Sequence, residues 1–185
     1  MKNIALRRKA KSSLLALGAA TLALVATLLS PPLAARSESG APSLTPLIDA
    51  SSWLNGAPSR ASLRGKVVLV DVFTFDCINC KNVTPELRAL NRGKASEGLA
   101  IVGIHSPESA YEHEHAAVVS HLKTLGVTWP VAIDNDFSLW NAYHVNAWPT
   151  QLIFDRQGKL RKTIVGDSQD ALVSETIDAL LKERA

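Results

Sequence analysis

Cysteine is scarce in this sequence, since the 185 residues include only Cys77 and Cys80. Two cysteines are too few for a disulfide scaffold or for a four-cysteine zinc site. Aromatic residues make up 5% of the chain and charged residues 20%, whereas 46% of the residues are hydrophobic. This balance is typical of a globular domain and argues against a disordered or fibrous chain.

The excess of positive charge is small and confined to one end. The formal net charge is +3, but residues 1–35 contain five basic residues and no acidic one. The remainder has 15 basic and 17 acidic residues, a net charge of −2. Nucleic acid is therefore not an expected partner, because no basic surface is left on the folded part.

The N-terminal segment has the pattern of a targeting sequence. A basic start is followed by residues 12–35, which carry no charge. Residues 1–35 are therefore predicted to be a signal peptide or a membrane anchor, and the pattern suits both. The basic end should stay cytoplasmic, which places the rest in the periplasm or outside the membrane, either soluble after cleavage or anchored. Residues 36–46 are predicted to be a flexible tether, and residues 47–185 the folded domain.

Strand and helix patterns alternate through this domain. Apolar, β-branched runs and helical periodicity are the basis of the assignment. They predict strands at 66–75, 99–104, 131–133, 150–155 and 159–165, and helices at 79–95, 109–125, 137–143 and 168–183. Gln157-Gly158 predicts a hairpin turn, and Ser168 is a candidate N-cap. The alternation predicts an α/β fold with a central sheet flanked by helices.

The two cysteines lie where the first long strand gives way to a helix. Unpaired backbone N–H groups and the positive end of the helix dipole favour a thiolate on Cys77 there. Cys80, one turn along, could then resolve a mixed disulfide. A structural disulfide closing such a short loop would restrict the unfolded chain little. Metal binding would need further ligands from histidines, so no metal is expected, and a redox pair is the favoured interpretation.

A run of alternating acidic residues and histidines, from Glu112 to His115, suggests a metal site at first sight. On a helix, residues two apart point to different faces, so His113 and His115 cannot easily share an ion. We therefore expect this run to be a solvated helix face. His105 and His144 are expected to be structural.

Several motifs together resemble the thioredoxin superfamily, from Trp53 to the C-terminus. Asp71, Cys77, Cys80 and Pro85 resemble its active-site strand and helix, and Trp148-Pro149-Thr150 resembles its cis-proline strand. The additional segment 109–133 is similar to the helix and strand insertion of TlpA-like envelope redoxins. Particular stretches are similar to the redoxin domains of DipZ-type thiol:disulfide interchange proteins: Trp53-Leu54-Asn55, Leu63-Arg64-Gly65-Lys66, Cys77-Ile78-Asn79-Cys80, His105-Ser106-Pro107-Glu108 and Asp134-Asn135-Asp136.

The resemblance implies a thioredoxin-like fold and roles for individual residues. Cys77 and Cys80 would form the redox-active disulfide, and Asp71 would lie buried beneath them and exchange a proton with Cys80. Pro149 would be cis and present the Trp148 backbone to a substrate peptide, which could pair with it as an added strand. Trp148 would line this groove or belong to the core.

Three positions depart from the pattern. Asp76 stands where thioredoxins have a tryptophan, and its charge should disfavour the Cys77 thiolate, which predicts a reducing rather than an oxidising pair. Gly103 replaces a lysine near the buried aspartate, and Val83 replaces a glutamate of many TlpA-like proteins. Asp71 is then the main candidate for proton transfer.

The favoured function is a cell-envelope thiol:disulfide oxidoreductase that reduces protein disulfides, apocytochrome c among the candidate substrates. A membrane thiol carrier would supply its electrons, and no cofactor is expected. One alternative is a peroxiredoxin-like peroxidase, because Thr74 precedes Cys77 as in such enzymes, although Val70 stands where they have proline. The other is a non-enzymatic copper-binding protein of thioredoxin fold.

Overall fold

A six-stranded mixed sheet lies at the centre of residues 42–184, the part of the chain that the structure, a computed structural model, describes. The strands are β1 (Trp53–Leu54), β2 (Val67–Phe73), β3 (Leu99–His105), β4 (Val131–Ile133), β5 (Thr150–Phe154) and β6 (Leu160–Val165). They are ordered β1-β4-β3-β2-β5-β6 across the sheet. Strands β2, β3 and β4 run parallel, whereas the pairs β1·β4, β2·β5 and β5·β6 are antiparallel.

Helices cover both faces of this sheet. They are α1 (Thr45–Ile48), α2 (Arg60–Leu63), α3 (Ile78–Lys94), α4 (His115–Leu125), α5 (Ser138–Ala142) and α6 (Asp170–Lys182). Two 3-10 turns, Ala95–Glu97 and Ala110–His113, precede β3 and α4. Residues of α3, α4 and α6 pack on one face of the sheet, and residues of α1, α2 and α5 pack on the other.

Strand β2 is the central element of the core, since all seven of its residues are buried. Side chains alternate between the two faces of a strand. Val67, Leu69 and Phe73 accordingly contact the α3 layer, and the valines between them contact the opposite layer. Asp71 shares the parity of Leu69 and Phe73, so the strand places its carboxyl on the α3 side.

The predicted strands and the hairpin are confirmed, with ends that differ by one or two residues. Gly158 has the positive φ of 76° that the hairpin turn requires. The predicted helix 109–125 is wrong as a single element, because Glu114 is extended at φ −72° and ψ 111° and separates the 3-10 turn from α4. Ser168 is not an N-cap, because its φ is 63° and α6 begins only at Asp170.

The predictions for residues 1–35, and most of the tether, lie outside the described residues. Within residues 42–184, no helix is both long enough and apolar enough to cross a membrane.

Candidate active site

Cys77 occupies the N-cap of α3. Its φ of −64° and ψ of 122° are extended, as an N-cap requires, and its sulfur accepts a hydrogen bond from the Cys80 backbone N–H at 3.4 Å. The helix follows at once, so the positive end of its dipole lies at the sulfur. Cys77 is partly exposed, and its neighbour Ile78 is 67% exposed. This sulfur is therefore accessible to a second molecule and placed where a negative charge is stabilised.

Cys80 lies one turn deeper and is almost completely buried. Burial is the main reason that the pKa of its thiol lies well above the usual range, and the hydrogen bond with Cys77 raises it further. A hydrogen bond from the Thr74 backbone lowers this pKa by less, and the charge of Asp71 raises it. Cys80 therefore keeps its proton until a neighbouring base removes it.

Asp71 is buried in the middle of β2, and burial raises its pKa from the ordinary 3.8 to about 7. The Gln151 side chain, directly opposite in the β2·β5 pair, lowers this pKa by a smaller amount. The Asp71 Oδ1 atom has no hydrogen-bond partner among the described residues. A carboxyl with a pKa near neutrality can both accept and return a proton at physiological pH.

Gly103 lies beside Asp71 in the neighbouring parallel strand β3. A Cβ atom at this position would meet Phe73 Cε1 and Val131 Cγ2 at 3.0 Å each. The packing therefore has no space for a long cation such as lysine next to the aspartate. The role of Asp71 as the main proton acceptor near Cys80 stays a prediction.

The charge of Asp76 is partly compensated, which the sequence analysis did not anticipate. Lys81 Nζ lies 3.0 Å from Asp76 Oδ1 across the first turn of α3. Asp76 is exposed and Lys81 is partly exposed, and surface ion pairs contribute only about 0–1 kcal/mol. Asp76 therefore still places negative charge before Cys77, although less than an unpaired carboxylate would.

The peptide bond between Trp148 and Pro149 is cis, as the resemblance implies. Trp148 is only partly buried, and its indole Nε1 donates to the Ser106 carbonyl at 3.0 Å. Its ring also packs against Trp140, with centroids 4.4 Å apart. These contacts fix the indole in the loop before β5 and leave part of it accessible.

Glu112 is the residue that the sequence analysis misjudged. His113, Glu114 and His115 are exposed as predicted, but Glu112 is only 1% exposed. Its carboxylate accepts hydrogen bonds from the segment that leads into Cys77, including the Asp76 backbone N–H at 3.1 Å. The Ser-x-x-Glu spacing from Ser109 is a capping-box signal that could have identified it as a turn residue, but not its contact with the cysteine loop.

His105 is buried at the end of β3, with no hydrogen-bond partner on either ring nitrogen among the described residues. Its ring is stacked on Phe75 at 5.4 Å and contacts Phe73 edge-on. Burial lowers its pKa to about 4, and the charge of Glu112 opposes this effect. The ring is therefore a neutral core residue at physiological pH.

Comparison with known proteins relates this site to a family. Residues 38–181 match the Redoxin family. The protein DipZ of Mycobacterium bovis is 35% identical over 131 residues, which are 69% of this chain and 19% of DipZ. The chain thus spans about a fifth of the length of that relative. The thiol-disulfide oxidoreductase YkuV of Bacillus subtilis is 27% identical over 71% of this chain and 89% of its own length.

A solved structure agrees with the fold. The thiol-disulfide isomerase from Corynebacterium glutamicum is 27% identical and has a TM-score of 0.65, covering 74% of this chain and 95% of its own. The predicted thioredoxin-like fold, with its mixed sheet between helical layers, is thereby confirmed.

Proposed function

The chain belongs to the Redoxin family, and we propose that it is a thiol:disulfide oxidoreductase that reduces protein disulfides through Cys77 and Cys80. One observation carries the proposal: an accessible cysteine caps α3, and a buried cysteine lies behind it, near a buried carboxyl whose pKa is about 7. The match with YkuV over most of both chains supports the same activity.

The geometry gives each group one step. The Cys77 thiolate attacks a substrate disulfide, forms a mixed disulfide and displaces a substrate thiolate, which takes a proton from water. Cys80 then transfers its proton to the Asp71 carboxylate and attacks the Cys77 sulfur. The second substrate sulfur leaves as a thiolate and is protonated in turn. The substrate gains two electrons, and Cys77 and Cys80 become a disulfide.

The oxidised pair must be reduced again before another turnover. We propose a membrane thiol carrier as the donor, because the charge pattern of residues 1–35 is that of an export signal or anchor. The same pattern supports a location in the cell envelope. The proposed substrates are oxidised protein cysteines that appear in that compartment, apocytochrome c among them. The exposed Ile78 and the accessible part of Trp148 would receive them.

No observation on the described residues supports either alternative function. The Thr74 hydroxyl, which a peroxidase would direct at peroxide, is buried and donates to Glu112. Among residues 42–184, no group of three or more histidine, cysteine, aspartate or glutamate side chains is arranged to hold a metal.

Trapping tests the proposed exchange directly. A reduced Cys80→Ser variant, mixed with insulin, is expected to accumulate a mixed disulfide between Cys77 and an insulin chain, because nothing resolves the intermediate. Intact-mass spectrometry would detect the adduct, and dithiothreitol would release it. The Cys77→Ser variant is the matched control, since its remaining thiol is buried. Equal adduct in both variants, or none in Cys80→Ser, would contradict the proposal.

The direction of exchange is tested by the reduction potential. Because Asp76 places a negative charge next to Cys77 and Lys81 compensates it only in part, we expect a potential nearer the about −270 mV of thioredoxin than the about −120 mV of a strong oxidant. Equilibration of the full chain in dithiothreitol redox buffers, followed by alkylation and mass measurement, gives this value. If the protein were half oxidised only in an oxidising glutathione buffer, its potential would be that of an oxidant, and this would contradict a reductase.

A further inference from the structure

The Glu112 carboxylate is buried and has four hydrogen-bond donors. Oε1 accepts from the Thr74 hydroxyl and from the Asp76 backbone N–H at 3.1 Å. Oε2 accepts from the backbone N–H groups of Glu108 and Ser109, each at 2.8 Å. One carboxylate thus joins two stretches of chain that are more than 30 residues apart in sequence.

The two oxygens serve different parts of the molecule. Oε2 closes the 3-10 turn Ala110–His113 on itself, as a capping glutamate does. If Glu112 only closed this turn, its Oε1 atom could accept hydrogen bonds from water. Instead, Oε1 faces the loop between β2 and α3 and holds it at Thr74 and Asp76. Capping alone does not require this second pair of contacts.

Both contacts of Oε1 lie in the short segment that leads into the reactive pair. Asp76 directly precedes Cys77, and its backbone N–H is held by the carboxylate. The Thr74 backbone lies near the Cys80 thiol and lowers its pKa, while the Thr74 hydroxyl donates to the same carboxylate oxygen. A shift of Glu112 would therefore move the backbone next to each sulfur.

The charge state of Glu112 suits this task. Burial would raise the pKa of its carboxyl, but the hydrogen bonds from Thr74, Asp76, Glu108 and Ser109 together hold the pKa below its ordinary value. An ionised carboxylate accepts hydrogen bonds on both oxygens and donates none. Bonds to an ionised acceptor are also stronger than neutral ones.

We propose that Glu112 is a positioning residue for thiol-disulfide exchange: its carboxylate fixes the Thr74–Asp76 segment and thereby the placement of the Cys77 and Cys80 sulfurs. The inference rests on the proposed function, because positioning matters only if these sulfurs react. It assigns a role in the reaction to the turn Ala110–His113, which lies outside the Cys-x-x-Cys helix.

The sign of the effect separates positioning from simple electrostatics. A buried negative charge close to Cys77 disfavours its thiolate, so removal of that charge alone would accelerate the reaction of Cys77. Loss of positioning does the opposite, because the sulfur and its stabilising N–H groups lose their alignment. A neutral substitution of Glu112 therefore distinguishes the two effects.

Glu112→Gln is the decisive variant. Its amide oxygen can still accept from Glu108 and Ser109, which leaves the NH₂ group facing the Asp76 N–H and removes the contact with the loop. We expect the rate of Cys77 alkylation by iodoacetamide, in the reduced full chain at pH 7.5, to fall about tenfold. The kcat/KM for insulin reduction should fall by a similar factor. Intact-mass spectrometry and a turbidity assay measure the two rates.

Two further variants complete the test. Glu114→Gln removes the same charge from the exposed neighbouring position, whose side chain caps nothing, and should leave both rates within about twofold. Thr74→Val keeps the side-chain volume and deletes one donor to Oε1, so it should slow alkylation severalfold. If Glu112→Gln does not fold, Thr74→Val still tests whether the contacts of Oε1 position the cysteines.

The possible outcomes are separable. A wild-type chain that does not reduce insulin would contradict the proposed function, while alkylation would still report on Glu112. Wild-type activity with unchanged or faster alkylation in Glu112→Gln would overturn the inference, as would a Thr74→Val variant that behaves like the wild type. Equal slowing in Glu114→Gln would also overturn it, because the effect would then not depend on the buried contacts.

Discussion

An Asp71→Asn variant is expected to be about 4 kcal/mol more stable than the wild type at pH 8. Burial raises the pKa of Asp71 from 3.8 to about 7, a difference of about three pH units. Each such unit corresponds to about 1.4 kcal/mol between the two protonation states. The folded state therefore disfavours the ionised carboxylate, and asparagine removes that penalty while keeping a similar shape.

The pH dependence of this gain follows from the sign of the shift. Because the folded-state pKa lies above the unfolded one, the penalty is absent below about pH 4, grows as the pH rises to about 7 and is constant above that. Urea unfolding of the reduced proteins from pH 4.5 to pH 8 measures the difference. The exposed Asp49→Asn change is the matched control and should alter stability by less than about 0.5 kcal/mol.

The same variant separates stability from catalysis. Without a carboxylate near Cys80, the buried thiol has lost its proton acceptor, so resolution of the mixed disulfide should slow although the protein is more stable. Stopped-flow reduction of insulin by the reduced variant would show a retained first step and a delayed release. A stability gain over the wild type that is no larger at pH 8 than at pH 4.5 would contradict a buried Asp71 with a raised pKa.

Much of the site could be predicted because its signals are local. Cys77, Cys80 and Asp71 lie within ten residues of one another, and a buried strand that leads into a helix fixes their relative placement. The apolar run of β2 and the hairpin at Gly158 depend on the same short-range rules. These parts of the fold follow from the chemistry of a few neighbouring residues.

The remaining contacts could not be predicted because they join distant segments. Gln151 faces Asp71 only once β5 has paired with β2, 80 positions later in the sequence. The break at Glu114 turned a predicted solvated helix into a 3-10 turn, and this placed Glu112 under the cysteine loop. Helical periodicity carries no information about either event, since both depend on which surfaces meet in the folded chain.

A His105→Phe variant should reveal a second buried titration. The lowered pKa of His105, about 4, means that the folded state disfavours the protonated ring. Above about pH 6.5 the ring is neutral in both states and this effect is absent. As the pH falls toward 4, the ring becomes protonated in the unfolded state only, and the free energy of unfolding decreases by about 3 kcal/mol in all. Phenylalanine fits between Phe73 and Phe75 without unpartnered nitrogens, so this acid-dependent loss should disappear.

The groups around His105 set the size of this effect. Burial is the largest effect and disfavours the protonated ring, as His113 and His121 also do, whereas the charge of Glu112 favours it. His121 is stacked on the other side of the buried Phe75, at 4.0 Å, so the substituted ring remains in an aromatic column. The exposed His115→Gln change is the control and should not alter the profile.

Asp71 and His105 act in opposite directions over the same pH range. As the pH falls from 6.5 to 4, protonation of Asp71 stabilises the fold and protonation of the unfolded-state His105 destabilises it, at about 1.4 kcal/mol per pH unit each. Their contributions to the wild-type profile therefore nearly cancel. Relative to the wild type, Asp71→Asn should lose stability with acid, His105→Phe should gain it, and the double variant should follow the wild-type slope. Parallel profiles for all four proteins would show that neither group is buried in the state assigned to it.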